Sequence, residues 1–253
     1  IDSTQLPLSQ GETVNSFINT LIPVIFDSTV FPKRTNQAEG VDLIKTSGNN
    51  YYGDNITQTE VEAFYAKMKN PGDSTPVSYG LNSKLVKENG LLIEKTYKAD
   101  GLYGAAISRI VGWLKKAAEV AENAQQKEVI NSLIDFYNTG NLKTYDEYSI
   151  KWVQDLASQI DFVNGFTETY GDPLGMKGSW ESMVNFKNID ATKRTEIISS
   201  NAQWFEDNSP IDPQFKKEKV KGVSAKVITA AILAGDCYPA TPISNSRKYH
   251  RSL

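Results

Sequence analysis

The dipeptide Asn89-Gly90 constrains the fold of this chain more than any other feature. It separates two runs of strand character. Val77, Tyr79, Leu81, Ser83 and Leu85 alternate with mostly polar neighbours before it, and Leu91 to Lys98 follows it. A two-residue hairpin loop of type I′ needs positive φ at both central residues, which Asn-Gly supplies at little cost. The flanking runs are therefore expected to pair antiparallel, so a purely helical fold is excluded.

Helical periodicity surrounds this hairpin. Residues 1 to 56 are rich in Ser, Thr, Asn, Gly and Pro, with one apolar cluster from Phe17 to Phe26 that predicts a short helix before a long irregular stretch. Thr57 and Glu60 have capping-box spacing ahead of Val61, Phe64, Tyr65 and Met68, which predicts an amphipathic helix ended by Pro71-Gly72. Tyr103, Ile107, Ile110, Val111, Leu114, Ala118 and Ala121 form one stripe. Val129, Leu133, Phe136 and Tyr137 form a second before Gly140, and the short connection predicts an antiparallel helical pair. Thr144 and Glu147 repeat the capping-box spacing and predict the start of a further helix through Trp152 and Val153.

At Ile160 the period changes to two. Ile160, Phe162, Asn164, Phe166, Glu168 and Tyr170 share one face of a strand, and Asp161, Val163, Gly165, Thr167 and Thr169 share the other. A glycine-rich turn over residues 171–178 leads to a second strand from Trp180 to Phe186. A helix is expected from about Thr192 to Phe205, and Val220 to Ala234 reads as mixed strand and helix. Trp113, Trp152, Trp180 and Trp204 all lie in or beside amphipathic patterns, so core packing is expected for each. The fold class is α+β.

Composition narrows the chemistry. With 253 residues the chain is long enough for one large domain or two lobes. Lys and Arg number 27 against 30 Asp and Glu, without long runs, so no electrostatic footprint for nucleic acid is visible. The longest apolar stretch, Val227 to Ala234, falls far short of the roughly 20 residues that a spanning helix needs. Cys237 has no partner for an internal disulfide, and the compartment stays open between cytoplasm and periplasm or cell envelope. His250 is the sole histidine, so a zinc site built on two histidines cannot be assembled from this chain. In its basic terminal setting His250 reads as solvated rather than ligating.

The segment from Phe166 to Glu181 carries the most chemistry. On one strand Glu168 and Tyr170 lie on the same side about 7 Å apart along the backbone, so the carboxylate and the hydroxyl could reach one ligand. A carboxylate there can receive a substrate ammonium, and a phenol can donate a hydrogen bond to a carbonyl oxygen as charge develops on it. The pattern alone favours a plainer reading, in which Phe162 and Phe166 fill the core while Glu168 and Tyr170 emerge into solvent. Asp172 and the neighbouring glycines read as turn chemistry, because neither a P-loop nor GxGxxG occurs.

Glu168-Thr-Tyr170, followed by Asp172-Pro-Leu-Gly175 and Gly178-Ser-Trp-Glu181, resembles the family of dipeptidyl peptidase III, zinc exopeptidases that remove dipeptides from peptide N-termini. Ser78-Tyr-Gly-Leu-Asn-Ser-Lys-Leu-Val-Lys-Glu88, Lys143-Thr-Tyr-Asp-Glu-Tyr148, Asn201-Ala-Gln-Trp-Phe-Glu-Asp-Asn-Ser-Pro210 and Tyr238-Pro-Ala-Thr-Pro-Ile243 are similar to its Bacteroidetes-type branch. The resemblance implies two lobes about a cleft, one built on a five-stranded β-barrel and one mainly helical that holds zinc. It implies that residues 1–188 form the barrel-containing lobe with its flanking helices and that 189–219 enter the helical lobe. Residues 220–243 then return to the barrel, and 244–253 form a divergent basic tail. It implies that Glu168 helps hold the substrate's N-terminal amine. Tyr170 would hydrogen-bond the scissile carbonyl in the transition state.

The zinc signature of that family, His-Glu-x-x-Gly-His followed by a Glu-Glu-x-x-Ala-Asp motif, has no counterpart here, and no two glutamates are adjacent. The expectation is therefore a substrate-binding portion of such a peptidase that takes short peptides, holds no cofactor itself and is inactive alone, the zinc belonging to the complete family enzyme. The alternative is a stand-alone peptide-binding or interaction protein derived from the family. An incomplete second lobe further implies self-association through the helix from Thr192 to Phe205.

Overall fold

The structure is a computed structural model and describes residues 3–222 and 226–235. Cys237, His250, the Tyr238 to Ile243 motif and the 244–253 tail lie outside the described residues. Chain contacts divide the protein into two compact units. The first comprises Ile1–Tyr97, Gly101–Tyr103 and Glu168–Gly178, and the second comprises Lys98–Asp100, Gly104–Thr167 and Ser179–Leu253.

In the first unit, α1 (Val14–Phe26) starts at Thr13, whose hydroxyl accepts from the Ser16 amide, and none of its side chains is buried. The short α2 (Leu43–Thr46) is capped by Asp42. Helix α3 (Gln58–Ala66) carries the full capping box, since Thr57 accepts from the Glu60 amide while Glu60 accepts from the Thr57 amide. It ends five residues before Pro71. Strands β1 (Ser83–Glu88) and β2 (Leu91–Thr96) pair antiparallel from Ser83 with Thr96 to Glu88 with Leu91. Asn89 and Gly90 connect them at φ of 50° and 81°, the left-handed pair that the dipeptide predicts.

The expected strand over 77–82 is instead a pair of tight turns. The Tyr79 amide donates to Val77 O and the Leu81 amide to Ser78 O, and Gly80 sits at φ 86°. Alternating side chains do not extend a chain whose glycine takes a conformation that few L-residues adopt. The core of this unit gathers Ile44, Tyr52, Ile56, Val61, Tyr65 and Leu85, with Leu174 and Met176 packed against it.

The second unit opens with α4 (Gly104–Glu119), which buries Ile107, Val111, Leu114 and Ala118 at helical spacing. Helix α5 (Ala124–Thr139) buries Val129, Ile130, Leu133, Phe136 and Tyr137, and ends in the left-handed Gly140, whose amide donates to Phe136 O. Asn141 then caps α6 (Leu142–Gln154), so the helix begins three residues earlier than the Thr144 and Glu147 spacing indicates. An Asn placed directly after a left-handed glycine satisfies the first orphan amides before Thr144 can. Tyr145 of α6 packs on Phe136 with ring centroids 4.6 Å apart.

Strands β3 (Ile160–Glu168), β4 (Ser179–Lys187) and β5 (Ile228–Gly235) form a sheet in the order β3-β4-β5. The expected helix after β4 is two helices, α7 (Ile189–Ser200) and α8 (Ala202–Asn208), broken at Asn201. Thus the described residues hold eight α-helices and two small antiparallel sheets. Neither sheet closes, so the expected barrel is not formed among the described residues, which hold one sheet of two strands and one of three. Trp113 and Trp204 also depart from the core role expected for them. They are 69% and 59% exposed, and the Lys116 ammonium lies 4.3 Å above the Trp113 ring.

The reassigned cap predicts a clear difference between neighbours. Asn141→Ala should lower stability by about 1 kcal/mol, whereas Thr144→Ala should change it by less than about 0.5 kcal/mol. Denaturant midpoints of the two variants measure this, and the reverse order would restore the Thr144 cap.

Candidate functional site

The loop between β3 and β4 belongs with the first unit, and it is built around one carboxylate. The Asp172 amide donates to Thr169 O at 3.1 Å and closes a β-turn with Tyr170 and Gly171 at its corners. The Gly175 amide then donates to Asp172 O at 2.9 Å, closing a second turn. The Asp172 side chain fills the space between. Its Oδ2 accepts from the amides of Met176 and Lys177, both at 2.8 Å, and from the Tyr52 hydroxyl at 3.0 Å, while Oδ1 accepts from the Leu174 amide at 3.2 Å. An ionised carboxylate offers about four lone-pair sites, and this one accepts four hydrogen bonds, three of them at Oδ2. Asp172 is thus the turn residue that the sequence indicates, with more partners than an Asx turn requires.

Lys177 is the residue that sequence reasoning misses. Its side chain is completely buried. The Nζ lies among four oxygens: Tyr65 Oη at 2.7 Å, Ser83 O at 2.9 Å, Ser83 Oγ at 3.1 Å and Gly80 O at 3.2 Å. Behind these, Glu94 Oε1 accepts from the Ser83 hydroxyl at 2.6 Å and from the Tyr65 hydroxyl at 2.7 Å, so the hydroxyls relay between ammonium and carboxylate. The rings of Tyr65 and Tyr52 stand 5.1 and 5.6 Å from the ammonium. Gly80 is indispensable to this packing, because a Cβ there would meet the Tyr65 ring and hydroxyl at 2.9 Å. The Gly178 amide donates to Leu81 O at 2.8 Å, which ties the end of the loop to the same turn. No signal inside residues 171–178 could reveal this, since the partners of Lys177 lie 94 to 112 residues away.

Burial pushes the Lys177 ammonium down to about 8, opposed by the Glu94 and Asp172 carboxylates. Burial, with Asp172 next in effect, raises the Tyr52 hydroxyl well above its ordinary range. Burial followed by Glu94 does the same for Tyr65. Both phenols therefore remain protonated donors over the whole range in which Lys177 titrates.

Glu168 is the last residue of β3 and is buried, 7% exposed. Tyr170 lies beyond the end of the strand, at the turn corner, and is 51% exposed. Strand alternation therefore places Glu168 but stops before Tyr170, whose position is set by the Thr169 to Asp172 turn. Among the described residues no group of three or more His, Cys, Asp or Glu side chains could hold a metal ion.

Residues 31–241 match the profile of Peptidase family M49. The chain belongs to that family. Dipeptidyl peptidase 3 of Dictyostelium discoideum is 29% identical over 188 residues, covering 67% of this chain and 27% of that protein. Dipeptidyl peptidase 3 of Rattus norvegicus is 26% identical over 140 residues, covering 55% and 19%. This M49 chain thus spans less than a third of the length of these curated relatives. The structure of DPP III from Caldithrix abyssi matches with a TM-score of 0.61 at 22% identity, over 75% of this chain and 35% of that one. Dipeptidyl-peptidase III from Corallococcus sp. strain EGB matches at 0.55 and 21% identity, over 79% and 36%. The fold of the M49 chain is accordingly similar to part of the DPP III fold. M49 is a zinc metallopeptidase family, and no helix among the described residues is long and apolar enough to cross a membrane.

The buried ammonium sets a pH dependence. Lys177 titrates near 8 when folded and near 10.5 when its surroundings are lost. Between those values the unfolded chain binds more protons, so stability should rise with pH from about 8 toward 10. Chemical denaturation at several pH values should show that rise in the native protein and its loss in Lys177→Met. A slope common to both proteins would assign the effect to other groups.

Proposed function

We propose that this chain is a substrate-binding part of a dipeptidyl peptidase III-like peptidase, with Glu168 receiving the N-terminal ammonium of a short peptide and Tyr170 donating its hydroxyl to the scissile carbonyl. The observation that carries this reading is the loop itself. Asp172 and Lys177 order the turn so that Tyr170 stands half-exposed two residues after a buried glutamate. An ordered phenol outside a carboxylate suits a ligand with a cationic end followed by a carbonyl. Family membership gives the ligand its class, a peptide with a free N-terminus.

Binding without hydrolysis by the separate chain is part of the proposal, because Glu168 and Tyr170 can hold and polarise a peptide but supply no activated water. Lobe boundaries at 188, 219 and 243 are likewise proposed. The pairing of β5 with β4 supports the return of the chain after 220, from Glu181 opposite Gly235 to Lys187 opposite Ile228. The same chain is expected to bind tri- to pentapeptides with micromolar to millimolar Kd. Glu168→Ala or N-terminal acetylation of the peptide should each weaken binding about tenfold or more. Calorimetry, with the peptide recovered intact afterwards, measures this, and affinity indifferent to both changes would end the proposal.

Self-association follows from α7 and α8, where Ile197, Ile198, Trp204 and Phe205 are 49 to 65% exposed. Light scattering should give a mass above the 28.1 kDa of one chain at high concentration. A monomer at every concentration would contradict it.

A further inference from the structure

We propose that Lys177 is a positioning residue for Tyr170, its buried ammonium holding the 169–178 loop in one conformation. This rests on the peptide-binding reading above and extends it to a residue that touches no ligand.

The geometry runs in unbroken steps. The ammonium is anchored on Gly80 O, Ser83 O, Ser83 Oγ and Tyr65 Oη, four acceptors from the tight turn before β1, from β1 itself and from α3. The backbone amide of the same residue donates to Asp172 Oδ2, so Lys177 grips the core with its side chain and Asp172 with its main chain. Asp172 in turn closes the turn at Thr169 O, and Tyr170 is the first corner of that turn. Two hydrogen bonds therefore connect the residue that bears a fully buried charge to the turn that bears a half-exposed phenol.

An uncharged side chain could fill the same volume. Taking away the ammonium alone removes its desolvation cost but leaves the Glu94 carboxylate, linked to it through the two hydroxyls, without a counter-charge. What methionine cannot do is meet four oxygens that converge on one point. Without the ammonium those acceptors no longer select one placement of residue 177, and the Asp172 turn loses the anchor that fixes its register.

The test uses the full 253-residue chain and two readouts. Hydrogen exchange reads the clamp directly through the amides of Asp172, Leu174, Met176 and Lys177. In Lys177→Met these should lose protection by about tenfold or more beyond any change shared by the amides of α4 and α5. Calorimetry with an unblocked tetrapeptide reads the consequence. Lys177→Met should weaken binding by about the same factor as Tyr170→Phe, and the double variant should be no weaker than either single one.

Unchanged protection of the loop amides would overturn the inference, as would a Tyr170→Phe effect that persists in full in the Lys177→Met background. A loss of protection spread evenly over both units would also overturn it. Should the native chain bind no peptide at all, the peptide-binding reading fails, and exchange alone decides whether Lys177 orders the loop. If Lys177→Met does not fold, Ser83→Ala carries the same exchange test, since it removes one acceptor of the ammonium and its link to Glu94.

Discussion

A primary ammonium with no water around it has to find oxygen from the protein, and in the first unit the chain is arranged to provide it. Two carbonyls, a hydroxyl and a phenol surround Lys177, and Glu94 completes the charge balance through the two hydroxyl groups. Such a charge is costly to bury and is tolerated only when its donors are met. The elements that meet it are the ones that define the unit: α3 brings Tyr65, the hairpin brings Ser83 and Glu94, and the Gly80 turn brings a carbonyl. The loop that bears Tyr170 is fastened to the rest of the unit through this polar centre together with Asp172 and Tyr52.

Around it the apolar core behaves conventionally. Val61, Tyr65 and Leu85 are almost wholly removed from solvent, and Leu174 and Met176 extend the same cluster into the loop. The hydrophobic cluster gives the unit its cohesion but places no single side chain uniquely. Directional bonds to Asp172 and Lys177 supply that selection, which is why the loop can be both glycine-rich and ordered.

Several local signals were legible. The capping box at Thr57, the left-handed pair at Asn89-Gly90 and the helix stop before Gly140 each depend on residues within a few positions and form as their patterns indicate, while the strand from Ile160 forms but ends at Glu168, short of Tyr170. The failures have equally specific causes. Asn141 lies closer than Thr144 to the end of α5 and takes the cap, Gly80 turns a run that alternates like a strand, and Asn201 breaks a helix whose apolar spacing continues across it. In the candidate site the turn role of Asp172 could be read from its neighbours. The burial of Lys177 could not, because everything that makes it tolerable is contributed from elsewhere in the chain.

Gly80 shows what that distance means for change over time. Its missing Cβ leaves room for the Tyr65 ring, its carbonyl receives the Lys177 ammonium, and Tyr65 touches that same ammonium. Positions 65, 80, 83, 94 and 177 therefore form a single mutational unit. A side chain gained at 80 displaces the tyrosine, a lost tyrosine strips the lysine of an acceptor, and a lost lysine leaves Glu94 without its counter-charge. Substitution at any one of them leaves another member of the group without a partner. These positions should drift together or not at all, although nothing in the linear sequence sets them apart as a group.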